Sequence, residues 1–146
     1  MYKIKIVSDG LVFIKHYGIL KGGETLFAVS ELAKERATAL KSSPHIRRKI
    51  IIDVRQIDCA ELTNMHMAFH AVMKKKLSVF LPYVPHIRFC YLVNPDNPST
   101  PNVLLRVESL KQVYGEELCG PVARSVNEAI ELWDLPHDFF AAIEDV

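Results

Sequence analysis

The chain has 146 residues, of which 49% are apolar, and this is enough to fill the core of a single domain. Eighteen Lys and Arg residues stand against 17 Asp and Glu residues, so the net charge of +1 excludes binding of nucleic acid through a strong overall field. No stretch approaches the roughly 20 apolar residues of a transmembrane helix, and residues 1–10 lack the apolar core of a signal peptide. We therefore expect a soluble cytoplasmic domain without a transmembrane segment.

The first half of the chain contains the patterns of a hairpin, a helix and a buried strand. Residues 2–17 hold two β-branched and aromatic runs separated by Asp9-Gly10, a pair that suits a tight turn. Apolar residues then recur with a period near 3.6 over residues 24–42, which predicts an amphipathic helix that ends before Pro44. The apolar residues Ile50, Ile51, Ile52 and Val54 predict a central strand covered on both faces.

The middle of the chain repeats the alternation of helix and strand. A polar stretch from Gln56 to Leu62 is interpreted as a loop, and Thr63 is interpreted as the N-cap of a second helix that ends before Pro82. Residues Ile87–Val93 predict another buried strand, and the two prolines in residues 94–98 indicate a loop after it.

The last third of the chain predicts two more helices with a short strand between them. Thr100-Pro101 suits a helix start and Gly115 a helix end, while Pro121–Arg124 is interpreted as a fifth strand. Ser125 and Glu128 form a capping box for a helix that runs through Trp133.

The predicted fold class is α/β in the order ββαβαβαβα. Its sheet has five strands and is mostly parallel, with an antiparallel strand from the N-terminal hairpin. We expect one domain over residues 1–135, followed by an acidic tail or an added helical turn over residues 136–146.

Two segments carry a family resemblance: IIIDVRQIDCAELTNMHM and VARSVNEAIELW. The chain resembles the STAS fold over nearly its whole length, and the SpoIIAA-like branch of anti-sigma-factor antagonists in particular. The resemblance implies a regulatory domain that binds protein partners at the start of the helix after the central strand. In the antagonists this place holds an Asp-Ser-Ser-Gly motif whose first serine is phosphorylated, but here the four positions are Glu61, Leu62, Thr63 and Asn64. Because leucine has no hydroxyl, that phosphorylation switch is not carried over.

The residues that could perform chemistry do not form a recognised catalytic or metal motif. His66 and His70 have the helical spacing of two metal ligands, but a third ligand from Asp58, Cys59 or Glu61 stands at no known spacing. Cys59 lacks the glycine-rich elbow of a thiol nucleophile. Asp53 ends a strand where α/β proteins bind ligands, but bonding to Arg55, to loop amides or to solvent is the favoured interpretation. We therefore predict no catalytic residue, no metal and no cofactor, and a protein that is not an enzyme.

The second predicted helix is rich in methionine and histidine, and apolar surfaces of this kind suit binding to partners. Our leading hypothesis is a non-enzymatic binding or regulatory module with a protein partner. Its predicted surface follows the central strand and consists of Asp58, Cys59, Glu61, Thr63, Asn64, His66, Met67 and His70.

Several alternatives stay open beside that hypothesis. One is a carrier or sensor of a small apolar or lipid-like ligand, because the SpoIIAA-like branch resembles lipid-binding Sec14 domains, and another is an uncharacterised enzyme. Pairing of the chain with itself as a homodimer is a further alternative. The basic turn Lys74–Lys76 is interpreted as a solvated helix face, with contact to a membrane surface as its alternative.

Overall fold

The structure is a computed structural model, and it describes residues 1–8, 10–21, 24–25, 28, 31–32, 47–60, 87–114 and 116–146. The predicted helix after Thr63, with its basic turn Lys74–Lys76, lies outside the described residues. The predicted helix over residues 24–42 is described at five positions, all helical: Glu24, Thr25, Ala28, Glu31 and Leu32.

The strands form one mixed sheet. They are β1 (Tyr2–Ser8), β2 (Leu11–Leu20), β3 (Arg48–Ala60) and β4 (Ile87–Leu92). The described strands follow the order β1-β2-β3-β4, with β1 antiparallel to β2 and the remaining pairs parallel. The α/β class, the N-terminal hairpin and the parallel central strands predicted from the sequence are confirmed.

Two strands run further than their sequence patterns predicted. We interpreted Gln56–Leu62 as a polar loop, but β3 continues to Ala60. The reason is that β2 also continues. Register shifts between Lys15 and Tyr17 and between Gly18 and Ile19 keep the two strands paired, and Gly18 has a φ of +70°. The last residues of both strands therefore pair with each other, and this backbone pairing is independent of side-chain polarity.

The predicted fifth strand is present only as two isolated parallel bridges, at Cys119 with Phe89 and at Ala123 with Leu92. Pro121 lies between the bridges and has no N–H to donate, and its carbonyl accepts the indole N–H of Trp133 at 2.9 Å. The two bridges are four residues apart in this segment, from Cys119 to Ala123, but three residues apart in β4, from Phe89 to Leu92. The two segments are therefore out of step, and a continuous ladder does not form. The prediction of a fifth regular strand over Pro121–Arg124 was therefore wrong in extent, although the chain follows the expected course beside β4.

Three helices follow β4: α1 (Thr100–Tyr114), α2 (Val126–Trp133) and α3 (Phe139–Ala142). The predicted start of α1 at Thr100 is confirmed. The predicted N-cap of α2 is confirmed as well, because the Ser125 hydroxyl accepts the Glu128 N–H at 3.1 Å.

The helices divide the core between the two faces of the sheet. On the first face, Val103, Val107 and Leu110 of α1 pack in one cluster with Ile50 and Ile52 of β3. On the second face, α2 and α3 contribute to a cluster around Phe13 and Ile51, and the buried residues that they and their flanks supply are Ala129, Trp133, Leu135, Phe139 and Ile143. Because successive side chains of a strand point to opposite faces, the three consecutive isoleucines Ile50–Ile52 of β3 contribute to both clusters.

Lysines on the second face fasten the C-terminal residues to the sheet. Lys5 donates to the Ala142 carbonyl at 3.1 Å, Lys15 donates to the Val146 carbonyl at 3.2 Å, and Lys49 donates to the Trp133 carbonyl. Since the last carbonyls of a helix have no partner within it, ammonium donors at α2 and α3 satisfy groups that would otherwise need water. Residues 139–142 are thus a short packed helix, and Phe139 and the following Ile143 are buried.

Candidate functional site

The structure describes two of the eight residues predicted to form the functional surface, Asp58 and Cys59. Both lie near the C-terminal end of β3, and both are exposed. The other six lie outside the described residues: Glu61, Thr63, Asn64, His66, Met67 and His70.

The C-terminal ends of β2 and β3 pair with each other at these two residues. Cys59 is the register partner of Ile19, whose side chain is 49% exposed. The flanking residues Ile57 and Ala60 are buried in the first-face core. We call Ile19, Asp58 and Cys59 together the strand-end surface. Because the carboxyl ends of parallel strands are where open α/β sheets bind ligands, it occupies the expected place for a site.

Side chains from the turn after β4 hold the outer edge of β3 at this place. Strand β4 pairs with β3 only as far as Asp53, so the later backbone groups of β3 need other partners. The Asn97 amide donates to the carbonyls of Arg55 and Ile57 at 3.3 and 2.8 Å, and the Ser99 hydroxyl donates to the Asp58 carbonyl at 2.9 Å. Two side chains thus replace a neighbouring strand.

The turn is itself ordered by its own side chains. The Asn94 side-chain oxygen accepts the Asp96 N–H at 3.0 Å, and the Asn97 side-chain oxygen accepts the Ser99 N–H at 2.9 Å. The Thr100 hydroxyl also donates to the Asn94 carbonyl. These are the local bonds by which Asn, Ser and Thr fix turns, so the sequence NPDNPST signalled an ordered turn. Nothing in that sequence indicated that Asn97 and Ser99 would reach β3.

Arg106 of α1 holds the end of β2 in the same way. Its guanidinium donates to the carbonyls of Leu20 and Lys21, at 2.8 and 3.4 Å. Both strand ends below Ile19 and Cys59 are therefore fixed by polar side chains from residues 94–106. The strand-end surface has an ordered backbone and exposed side chains, which is an arrangement suited to binding.

The three cysteines differ in accessibility. Cys59 is exposed, while Cys90 and Cys119 are buried, and all three are free thiols. Burial raises the pKa of Cys90 to about 12 and that of Cys119 to about 11. Because the thiolate is the reactive form, both buried thiols are inert at neutral pH, and Cys59 is the thiol that reagents reach.

Asp53 is buried in an ion pair. The Arg55 guanidinium donates to its two carboxylate oxygens at 3.0 and 2.9 Å, and the Arg55 N–H donates to one of them at 3.1 Å. The hydrogen bond to Asp53 also raises the pKa of Arg55. Of the two interpretations of Asp53, the pairing with Arg55 describes the structure. Among the described residues, no group of three His, Cys, Asp or Glu side chains is arranged to hold a metal ion.

One buried histidine is not among the candidate residues that the sequence predicts. His16 lies in β2 at 0% exposure, and one ring nitrogen is 2.9 Å from the Thr25 hydroxyl. Within the part of the chain that the structure describes, its Nδ1 has no hydrogen-bond partner. Burial lowers the pKa of His16 to about 4, so the ring is neutral at pH 7. The alternation in β2 could have indicated its burial, because His16 shares a face with Val12 and Ile14.

Comparisons with known proteins identify no relative, since no family model, no curated protein and no solved structure matches the chain significantly. The fold and the geometry of the strand ends therefore define the protein as an α/β domain with a candidate binding surface. None of the described helices is both long enough and apolar enough to span a membrane.

Proposed function

We propose that the protein is a non-enzymatic binding module whose partner is another protein, and that the strand-end surface forms part of the contact. One observation carries the proposal: the Asn97 and Ser99 side chains fix the backbone of β3 beneath two exposed side chains, Asp58 and Cys59. An ordered backbone lowers the entropy lost on binding. The apolar side chain of Ile19 and the carboxylate of Asp58 supply the two kinds of contact typical of protein interfaces.

The resemblance to SpoIIAA-like STAS domains supports the same surface, because that family uses the start of the helix after its central strand. On this proposal, the partner contact continues from Cys59 into Glu61, Thr63, Asn64, His66, Met67 and His70. The substitution of leucine for the phosphorylated serine at position 62 favours a contact that is not switched at that position.

The accessibility of Cys59 allows a direct test. A benzophenone maleimide attached to Cys59 places a photo-crosslinker on the strand-end surface, while the buried Cys90 and Cys119 remain unmodified. After irradiation in extract from the source cells, we expect a specific protein to be joined to the chain. Mass spectrometry of the product identifies that protein.

The control carries the same crosslinker elsewhere, in Leu132→Cys with Cys59→Ser. Leu132 is 44% exposed on α2 beside Trp133, whose carbonyl contacts Lys49 near the other end of β3. At roughly 3.3 Å per residue, Lys49 lies roughly 30 Å along the strand from Cys59. The same protein captured equally from both positions, or no product from Cys59, would contradict the proposal. A low-mass apolar product from Cys59 would instead support the ligand carrier.

A charge reversal then tests the captured protein in purified form. We expect Asp58→Lys to weaken its binding by about tenfold or more, because a lysine replaces a carboxylate within the contact. Glu131→Lys, an equal charge change at an exposed position of α2, should leave the affinity unchanged. Calorimetric titration measures both variants, and equal affinities would remove Asp58 from the contact.

A further inference from the structure

Strand β1 lies at one edge of the described sheet, with β2 on its other side. The Tyr17 N–H donates to the Met1 carbonyl at 3.1 Å, so the backbone groups of Met1 point toward β2. In an antiparallel pair the orientation alternates, and the register of β1 with β2 is regular from Tyr2 to Ile6. The N–H and C=O groups of Tyr2, Ile4 and Ile6 therefore point outward. No described residue pairs with this outer edge as a strand.

The side chains of the same three residues form an apolar row on the first face. Tyr2 and Ile4 pack at the margin of the first-face core. Ile6, two residues further along the strand, is on the same face and is 40% exposed. Open backbone groups beside exposed apolar side chains are a template for pairing with another strand.

We infer that β1 pairs antiparallel with β1 of a second copy of this chain, joining the two sheets edge to edge across a two-fold axis near Ile4. Ile4 is the midpoint of the regular stretch Tyr2–Ile6, which ends at the register shift between Ile6 and Ser8. Around that axis the outward groups of Tyr2 meet those of Ile6 in the other copy, and Ile4 meets Ile4. An antiparallel pairing of identical strands is self-complementary, so one copy supplies the donors and acceptors that the other leaves open.

The side chains match under the same symmetry. Tyr2 of each copy lies opposite the exposed Ile6 of the other, and aromatic with β-branched pairs are favourable across strands. On the opposite face, Lys3 lies across from Lys5 of the other copy, and two facing lysines alone would repel. However, the Asp145 carboxylate already contacts Lys5 at 2.9 Å, and its side chain is 77% exposed. Because Lys3 of the second copy would lie opposite Lys5, this exposed carboxylate is available to both lysines, which supplies the charge complementarity.

Sedimentation velocity over a range of protein concentrations tests the inference with the full chain. We expect the wild type to reach twice the mass of one chain, and Ile6→Lys to weaken the dimer by more than about tenfold, because each interface would bury two unpaired charges. Leu132→Lys is the matched control, since Leu132 is 44% exposed and Ile6 is 40% exposed. It should dimerise like the wild type. A wild type that is monomeric at every concentration, or equal dimerisation of the two variants, would overturn the inference.

A disulfide tests the register without relying on a loss of binding. Lys3 and Lys5 of opposite copies would form a pair whose Cα atoms are about 4.5 Å apart, which is within disulfide range. We expect Lys3→Cys/Lys5→Cys, made with Cys59→Ser, to form a covalent dimer under mild oxidation. Absence of that dimer while the wild type still doubles its mass would place the interface elsewhere and overturn the inference. A monomeric chain that binds an added acidic strand peptide would assign the edge to a foreign strand instead.

Discussion

At the scale of single residues, His16 makes the stability of the fold depend on pH. The ring is buried and neutral in the folded protein, with a pKa lowered to about 4 by loss of solvation, whereas an unfolded chain has a histidine pKa near 6.5. Between these two values the unfolded chain binds more protons than the folded one. The free energy of unfolding therefore falls as the pH drops from 6.5 toward 4.

Because protonation of His16 is linked to unfolding, we expect the free energy of unfolding to fall by about 2 kcal/mol when the pH is lowered from 7 to 5. Urea unfolding of the wild type and of His16→Gln at both pH values measures it. Glutamine retains a group that can bond the Thr25 hydroxyl but does not titrate in this range. An identical fall in the two proteins would show that His16 is not the group responsible.

The Asp53–Arg55 pair is the second test at this scale. Asp53 is 1% exposed, and Arg55 supplies three hydrogen bonds to its carboxylate. We expect Arg55→Met to destabilise the fold by roughly 3 kcal/mol, at the low end for a broken buried pair because the Arg55 side chain is 34% exposed. Asp53→Asn combined with Arg55→Met should recover part of that loss, and a double-mutant cycle in urea would detect the coupling. Additive effects would contradict it.

At the scale of elements, the part of β3 that follows Asp53 is held on its outer edge by the turn after β4 and not by a neighbouring strand. Asn97 alone donates to two carbonyls of β3. We expect Asn97→Ala to cost about 1 to 3 kcal/mol, the range for leaving a partly buried backbone group unsatisfied. Amide exchange at residues 57–60 should accelerate more than exchange at residues 50–53, which β4 also supports.

Asn102→Ala, in the first turn of α1, is the control for this change. It should leave exchange at residues 57–60 unaltered. If both variants accelerate exchange equally, the turn does not stabilise β3 through Asn97.

At the scale of the whole molecule, β3 joins the two core clusters. Ile50 and Ile52 pack on one face and Ile51 on the other, and strands flank this part of β3 on both sides. Amides in such a position open only with large-scale unfolding. We expect hydrogen exchange to be slowest at residues 50–54 and 88–93. Rapid exchange at both would contradict the strand order.

The C-terminal residues belong to the same cooperative unit, because Phe139 is 2% exposed and contacts Phe13 edge to face. We expect Phe139→Ala to lower the free energy of unfolding by about 3 to 5 kcal/mol, the range for truncating a buried aromatic residue. Phe140→Ala, at the half-buried neighbouring position, should cost clearly less. Denaturant unfolding of both variants makes the comparison, and similar losses would mean that the two rings are equally important to the core.

The sequence by itself determined the elements whose signals are local. The antiparallel pairing of β1 with β2, the buried residues of β3, the Thr100 helix start and the Ser125 cap depend on neighbouring residues, and each was predicted correctly. Backbone preference, hydrophobic period and capping chemistry act within a few residues of one another, so they can be derived without the fold.

Only the tertiary structure decided which distant segments supply each other's hydrogen-bond partners. The extension of β3 to Ala60 depends on β2, on Asn97 and on Ser99, which lie some forty residues away in each direction. The reduction of the fifth strand depends on the Pro121 carbonyl being taken by Trp133. The sequence predicts a loop at Asp58 and Cys59, yet both residues lie at the end of β3. Hydrogen bonds between distant segments set these outcomes, and such partners become neighbours only when the chain has folded.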